Sequence, residues 1–394
     1  MVPTPRRRAI ATHALELQDT DLTQAGIQYL RSINRRERRG LQSKIVLRLD
    51  RPHHHAAMRL VRAVFATGVL VLVLSACVWQ SSTVRSPTPA GETAVTERPQ
   101  MNGPTTAADG QPAFPIRAAF YYQWFPQGWQ QNGTFPYSVY TPSLGWYDSG
   151  SAETIRSHIE AMRFGHITAA IASWWGQDEK DEQVRVPALL SAAADVDPTF
   201  RIALYYEKEG IGDPSISELK QDLDHILTAY GTQQNYLRIG GRPVLFVYNA
   251  DDTDCSVVDR WKSANAADNF YLDLKVFPGS SSCPSQPDGW HHYAPAQSRV
   301  QVADDSQVAG SFTISPGFAH APESDPSGMV HPYLDRDLHR WSQDIRDMVA
   351  SGRSWQLVTS FNEWGEGTSV ESATQWATPS GQGAYLDALH TNGQ

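Results

Sequence analysis

The sequence predicts an α/β domain folded as a (β/α)8 TIM barrel, and three observations carry that prediction. From Ile116 to Gln394, short apolar runs alternate with longer amphipathic ones, the pattern of strand and helix units repeated around a parallel sheet. Eight strand-like runs can be counted, and a stretch of roughly 280 residues suits one such barrel better than two small domains. A doubly wound open sheet is the competing fold, but no Gly-rich phosphate fingerprint follows the first run.

Taken in order, the predicted strands are Arg117 to Trp124, Ile167 to Trp174, Arg201 to Tyr206, Pro243 to Tyr248, Phe270 to Phe277, a weak one near Trp290, Ser311 to Ser315, and Gln356 to Phe361. Each is a short run bounded by turn-forming residues. Between them the apolar spacing changes to that of helices over Ala152 to Phe164, Gln183 to Ala194, Ile216 to Tyr230, Val257 to Ala266, Asp335 to Ala350 and Gly383 to His390.

The chain reaches this domain late. Residues 1–57 form a leader from which no fold is inferred, and Met58, directly before Arg59, is a candidate natural start. Ala63 to Leu74 is apolar, follows Arg59 and Arg62, and ends in Ser75, Ala76 and Cys77. It is too short to span a bilayer, which needs about 20 apolar residues, and it has the three-part layout of a secretory signal. Leu74-Ser75-Ala76-Cys77 resembles the bacterial lipoprotein box, so residues 58–77 are expected to export the chain and Cys77 to carry a lipid; an ordinary signal peptide on a secreted protein is the alternative. Residues 78–115 are rich in Ser, Thr, Pro, Ala and Gly without apolar period and read as a flexible tether.

Charge separates the two parts. Residues 1–76 hold 13 basic and 5 acidic side chains, leaving 20 basic and 37 acidic in residues 77–394. A body near −17 would repel phosphates, which excludes a nucleic-acid binder, and 41% apolar residues exclude disorder of the whole. Cys255 and Cys283 lie in the exported portion, where a disulfide is the natural state. Membrane contact is expected only through the lipid anchor, and the domain is expected to be a monomer.

Barrel enzymes place their chemistry at the C-terminal ends of the strands. Here those ends carry Tyr121, Tyr122 and Trp124; Trp174 and Trp175; Tyr206 and Glu207; Tyr248; Trp290 and His291; and Asn362, Glu363, Trp364 and Glu366. Aromatic faces suit the C–H surfaces of sugars while carboxylates and amides suit their hydroxyls, so an oligo- or polysaccharide is the expected partner. Glu363 and Glu366, three residues apart after an apolar run, are the sharpest feature. Glycoside cleavage needs one group to protonate the leaving oxygen and a second carboxylate acting on the other side of the anomeric carbon. No metal or cofactor is expected. The histidines, His53-His54-His55 and His291-His292 included, show no H-E-x-x-H spacing, and no G-x-S-x-G elbow is present.

Ser360-Phe361-Asn362-Glu363-Trp364-Gly365-Glu366-Gly367-Thr368-Ser369-Val370-Glu371 resembles the signature of glycoside hydrolase family 99, the endo-α-mannosidases and endo-α-mannanases. The likeness extends over the barrel through Phe120 to Phe125, Ser173 to Gly176, Arg242 to Tyr248 and Ser315 to Phe318. The resemblance implies that Glu363 deprotonates the sugar 2-hydroxyl and Glu366 serves the leaving oxygen and then water. Retention would pass through a 1,2-anhydro sugar without an enzyme ester. It also implies that Tyr248 neighbours the reacting sugar and that Trp124, Trp174 and Trp175 stack on it. Two departures bear on specificity. Gly365 stands where the family usually has His, and the third strand reads Leu204-Tyr205-Tyr206-Glu207 in place of a His-containing version. Gly365 removes a side chain that could narrow the site and hints at a different or bulkier aglycone. Two other readings remain open at this level: a non-catalytic carbohydrate-binding lipoprotein, and a glycosidase using Glu363 or Glu207 as a direct nucleophile.

Overall fold

The computed structural model describes residues 110–131, 133–249, 253–320 and 333–394. The leader, the signal segment with Cys77, and residues 78–109 of the expected tether lie outside the described residues.

Eight strands form the barrel: β1 (Ile116–Tyr121), β2 (Ala169–Trp174), β3 (Arg201–Tyr206), β4 (Arg242–Val247), β5 (Tyr271–Lys275), β6 (Gly289–His291), β7 (Ser311–Ile314) and β8 (Trp355–Val358). Successive strands from β1 to β6 pair in parallel, as do β7 with β8 and β8 with β1. Closure between β6 and β7 rests on a parallel bridge, Gly289 with Ala309, where the Trp290 amide donates to the Ala309 carbonyl at 2.9 Å. The strands are buried on both faces, with side chains inside and helices outside, as an all-parallel sheet requires. The eight-stranded expectation and the barrel hold; the weak sixth strand is real and three residues long.

Helices α1 (Ala152–Phe164), α2 (Lys180–Val196), α3 (Ile216–Ile226), α4 (Ser256–Ala264), α5 (Leu338–Ser351) and α6 (Ala384–Asn392) follow β1, β2, β3, β4, β7 and β8. Their ends have local causes. Ser215 and Glu218 make a reciprocal capping box on α3, Asp337 accepts the Arg340 amide at the start of α5, and Gly352 ends α5 at φ 60°. α3 ends four residues before the expected Tyr230 and continues as a wider turn over Leu227–Gly231.

Among the described residues no α-helix follows β5 or β6. A short turn, Ser280–Ser282, and a strand, Arg299–Gln301, antiparallel to β7, take those places. A disulfide between Cys255, at the start of α4, and Cys283 ties this flank together with Cα atoms 5.4 Å apart. It closes a loop of 28 residues, for which the chain-entropy model gives about 3–4 kcal/mol. A Cys255→Ser/Cys283→Ser variant is therefore expected to unfold at lower urea, with a slope no shallower than that of the parent because its unfolded chain is less constrained; an unchanged urea midpoint would sink the expectation.

Inside the barrel, side chains stack in layers. Phe114 meets Trp355 edge-on at 5.0 Å at the closed end, with Tyr271 beside them. Above lie Phe120, Tyr205, Phe246 and His291. Ahead of β1 the chain is already anchored, because buried Gln111 donates to the Tyr236 carbonyl and accepts from Arg201 and the Arg238 amide. Those partners lie at the N-terminal ends of β3 and β4, so this anchor sits on the closed end. No described helix is long and apolar enough to cross a membrane.

Candidate active site

The third layer opens at the C-terminal ends of the strands. β8 leads into a turn rather than a helix over residues 363–367, closed by Gly367 N–H to the Trp364 carbonyl at 3.2 Å and by Gly367 at φ 61°. The turn sends Glu363 and Glu366 to the same place. Glu363 is 6% exposed; its carboxylate accepts the Gly365 amide at 3.0 Å and also the Glu366 amide. Glu366 accepts the Tyr293 hydroxyl at 2.7 Å. Tyr293 in turn is hydrogen-bonded to Tyr122.

Burial is the first cause of the unusual acidity here. It pushes Glu363 well above the ordinary carboxylate range, and the charge of Glu366 adds to the effect against the pull of the two amides. Burial likewise raises Glu366 to about 7, opposed by the Tyr293 hydroxyl. Two close carboxyls with raised affinity for protons hold one proton between them near neutrality.

The structure brings Tyr122, Glu207, Glu363 and Glu366 into mutual electrostatic reach. Tyr248 joins them through ring contacts with Tyr205 and Tyr293. The Tyr248 ring is held between the Lys275 ammonium at 4.8 Å and Gly210, where a Cβ would lie 2.3 Å from it. Trp124 stacks on Tyr122 at 4.4 Å. Trp175 is buried at the end of β2, in the register that alternates with outward Trp174.

Other expected site residues face elsewhere, because successive strand residues point to opposite sides. Tyr121 points out of the barrel and its hydroxyl meets His158 Nδ1 on α1 at 3.0 Å. Trp174 lies against Tyr206 and the α3 residue His225. Tyr206 donates to Asp222 of α3 at 2.8 Å and packs on Trp261 of α4. Trp290 packs on Phe277 and donates to Gln286. Trp364 donates behind the turn to Tyr147 and Glu371. Asn362 clamps the end of β1, accepting the Tyr122 amide and donating to its carbonyl, each at 2.8 Å. In this geometry these six side chains are engaged with other parts of the fold.

His291 lies one layer below the mouth. Its Nδ1 pairs with Asp273 at 2.8 Å and its Nε2 with the Tyr205 hydroxyl at 3.1 Å, so neither nitrogen faces a sugar. Burial drives His291 down and Asp273 up, which favours a neutral pair. The residues missed from sequence are Tyr293, the hydrogen-bond partner of Glu366, and Tyr205, which supports the floor. Their signal is parity: Glu207 points inward, so Tyr205 must, and His291 inward puts Tyr293 inward.

Gly365 does not simply widen the site. A Cβ there would lie 2.9 Å from the Tyr137 ring and 3.1 Å from the Glu363 carboxylate. The space expected to be free is filled by Tyr137, a residue of the β1–α1 loop. Among the described residues no cluster of three His, Cys, Asp or Glu could hold a metal.

Comparison with known proteins agrees with this architecture. Residues 122–268 match the model of "Glycosyl hydrolase family 99". The chain is 23% identical over 302 residues to the mouse glycoprotein endo-alpha-1,2-mannosidase, covering 67% of this chain and 62% of that protein. It is 22% identical over 291 residues to the human glycoprotein endo-alpha-1,2-mannosidase-like protein, covering 64% and 61%. The chain thus spans about three fifths of the length of these curated relatives. Among solved structures, the GH99 endo-alpha-mannosidase of Bacteroides thetaiotaomicron superposes with a TM-score of 0.54 at 20% identity, over 71% of this chain and 95% of that one. This likeness supports the same fold.

Proposed function

We propose that the chain, a protein of the glycosyl hydrolase family 99 type, is a glycoside hydrolase that cleaves α-mannosidic or related linkages within a glycan. The observation that carries this reading is the pair Glu363 and Glu366, buried together at the barrel mouth with raised proton affinities. Such a pair has one group able to give a proton and one able to take it.

In the proposed reaction Glu363 removes the proton of the sugar 2-hydroxyl. The freed oxygen attacks the anomeric carbon from the face opposite the leaving group, which an axial 2-hydroxyl can reach, and Glu366 protonates the departing oxygen. Water then opens the 1,2-anhydro ring as Glu366 takes its proton and Glu363 returns one to O2. Two inversions give net retention, with no bond to the enzyme. Burial raises both carboxyls and does not separate them; the two amides donating to Glu363 are what suit it to the ionised base. Export and lipid attachment at Cys77 are part of the same proposal.

The test is product analysis on a panel of α-mannans and α-mannosyl oligosaccharides, with the anomeric form followed by NMR. Oligosaccharides released with retained configuration are expected. First-formed products of inverted configuration would sink the mechanism, and binding without any release would favour a non-catalytic receptor.

Tyr293→Phe provides a finer test. The hydroxyl favours ionised Glu366, so its loss should raise the Glu366 pKa further above about 7. As the acid must be protonated, kcat/KM of the wild type falls as pH rises through about 7, and in the variant this limb should move to higher pH. The lost hydrogen bond should cost roughly three- to tenfold in rate below the limb. A limb that stays in place would show that Glu366 is not the group titrating there.

A further inference from the structure

Thirty consecutive residues, Ala118 to Tyr147, contain no Asp, Glu, Lys, Arg or His, within a body of residues 77–394 that carries 57 charged side chains. All of this stretch beyond Tyr121 belongs to the β1–α1 loop, which bears a ladder of rings. Phe125 stacks on Trp129 at 3.9 Å, Trp129 meets Trp146 edge-on at 5.0 Å, and Trp146 meets Phe135 at 6.0 Å. Exposure rises along it, from 1% at Phe125 and Trp129 to 36% at Trp146 and 59% at Phe135. Burial explains the inner rings but not the outer two. Among the described residues the ring that meets Phe135 is that of Trp146, edge-on.

The ladder is continuous with the catalytic turn. Trp129 lies 6.4 Å from Trp364, its carbonyl accepts the Tyr137 amide at 2.8 Å, and the Tyr137 ring abuts Gly365 beside Glu363. Flat apolar rings at the outer end of a loop supplied only with amides and hydroxyls suit an uncharged, hydroxyl-rich ligand. An anionic polymer would meet the repulsion of the acidic body.

We infer that Phe135 and Trp146 form a second binding surface, on which a neutral oligosaccharide stacks as it runs out of the cleft. The inference rests on the hydrolase reading for what the glycan is, but not for the surface itself. It makes the loop a determinant of chain length: a short substrate occupies the mouth alone, whereas a polymer also reaches the rings.

The experiment uses the full chain in native gels containing neutral α-mannan, with neutral β-glucan and anionic polygalacturonate for comparison, alongside kcat/KM on a polymer and a short oligosaccharide. Retardation of the wild type by a neutral glycan is expected. It should be lost in Phe135→Ala/Trp146→Ala and kept in Phe135→Tyr. The polymer-to-oligosaccharide ratio of kcat/KM should fall about tenfold in the double variant, the scale of aromatic stacking. Phe135→Ala alone, at a site held by little packing, should show part of the effect if Trp146→Ala disturbs folding. Equal retardation of wild type and double variant, retardation by the anionic polymer alone, or none at all would overturn the inference. Retardation lost in the variant of a protein that hydrolyses nothing would leave the surface standing and the hydrolase reading fallen; hydrolysis with an unchanged ratio would do the reverse.

Discussion

Glu366→Gln is expected to slow glycoside hydrolysis by roughly 10²–10⁴-fold, the range of a lost general acid. The substitution is nearly isosteric, and the new amide oxygen can still accept the Tyr293 hydroxyl that now lies 2.7 Å from the carboxylate. Folding should therefore be untouched and the loss confined to chemistry. Glu363→Gln should cost a similar factor for a different reason, and the leaving group separates the two. An acid is needed only when the leaving group is basic, so an activated substrate such as a glycosyl fluoride should restore the first step for Glu366→Gln, read as fluoride release, while the attack of water still lacks its base. It should do nothing for Glu363→Gln, which lacks the base acting on the 2-hydroxyl. Equal rescue of both variants would refute the division of roles. A covalent adduct trapped on Glu363 or Glu207 would refute the absence of an enzyme nucleophile.

Arg336→Ala is expected to have the largest effect on stability. The guanidinium, which burial holds below its usual pKa, lies over Trp376 at 4.1 Å, Tyr385 at 4.5 Å and Tyr140 at 4.8 Å. From this aromatic cage it donates to the carbonyls of Gly367, at 2.9 Å, and Ser369. Gly367 follows Glu366 directly and closes the turn, and Ser369 lies two residues further on. Truncation removes desolvated cation–π contacts and strips two carbonyls of a charged donor, a loss of about 3–4 kcal/mol. For a domain of this size that corresponds to a fall in Tm of roughly 6–12 °C. Arg336 does not line the mouth, so kcat should fall through misplacement of Glu366 while binding of a product glycan weakens less. Arg336→Lys should recover only part of the stability, since an ammonium is a poor match to three rings and two carbonyls at once. A melting temperature within 2 °C of the wild type would refute this account.

Much of this arrangement was legible in the sequence because parallel barrel strands are short, apolar and regularly spaced. Residues such as Ala169 to Trp174 and Arg201 to Tyr206 read as strands and are strands. Glu363 and Glu366 stood out because two carboxylates directly after an apolar run are costly to bury without purpose. What the sequence left open was direction within aromatic pairs. Both faces of a parallel barrel strand are buried, so Tyr121-Tyr122, Tyr205-Tyr206 and Trp174-Trp175 offer no polar alternation to tell inside from outside. Glu207 and His291 break that symmetry, and extending their parity along each strand leads to Tyr205 and Tyr293. The contact of Tyr137 with Gly365 was illegible for another reason: it joins positions more than 200 residues apart through a loop without period.

The anchoring of Gln111 also fixes at which end the chain enters the barrel. Gln111 is held by Arg201, Tyr236 and Arg238 beneath β3 and β4, whereas Glu363 and Glu366 stand at the opposite ends of the strands. The described chain therefore enters the barrel at the end opposite the two carboxyls, and the open ends of the strands are left to the loops that line the mouth.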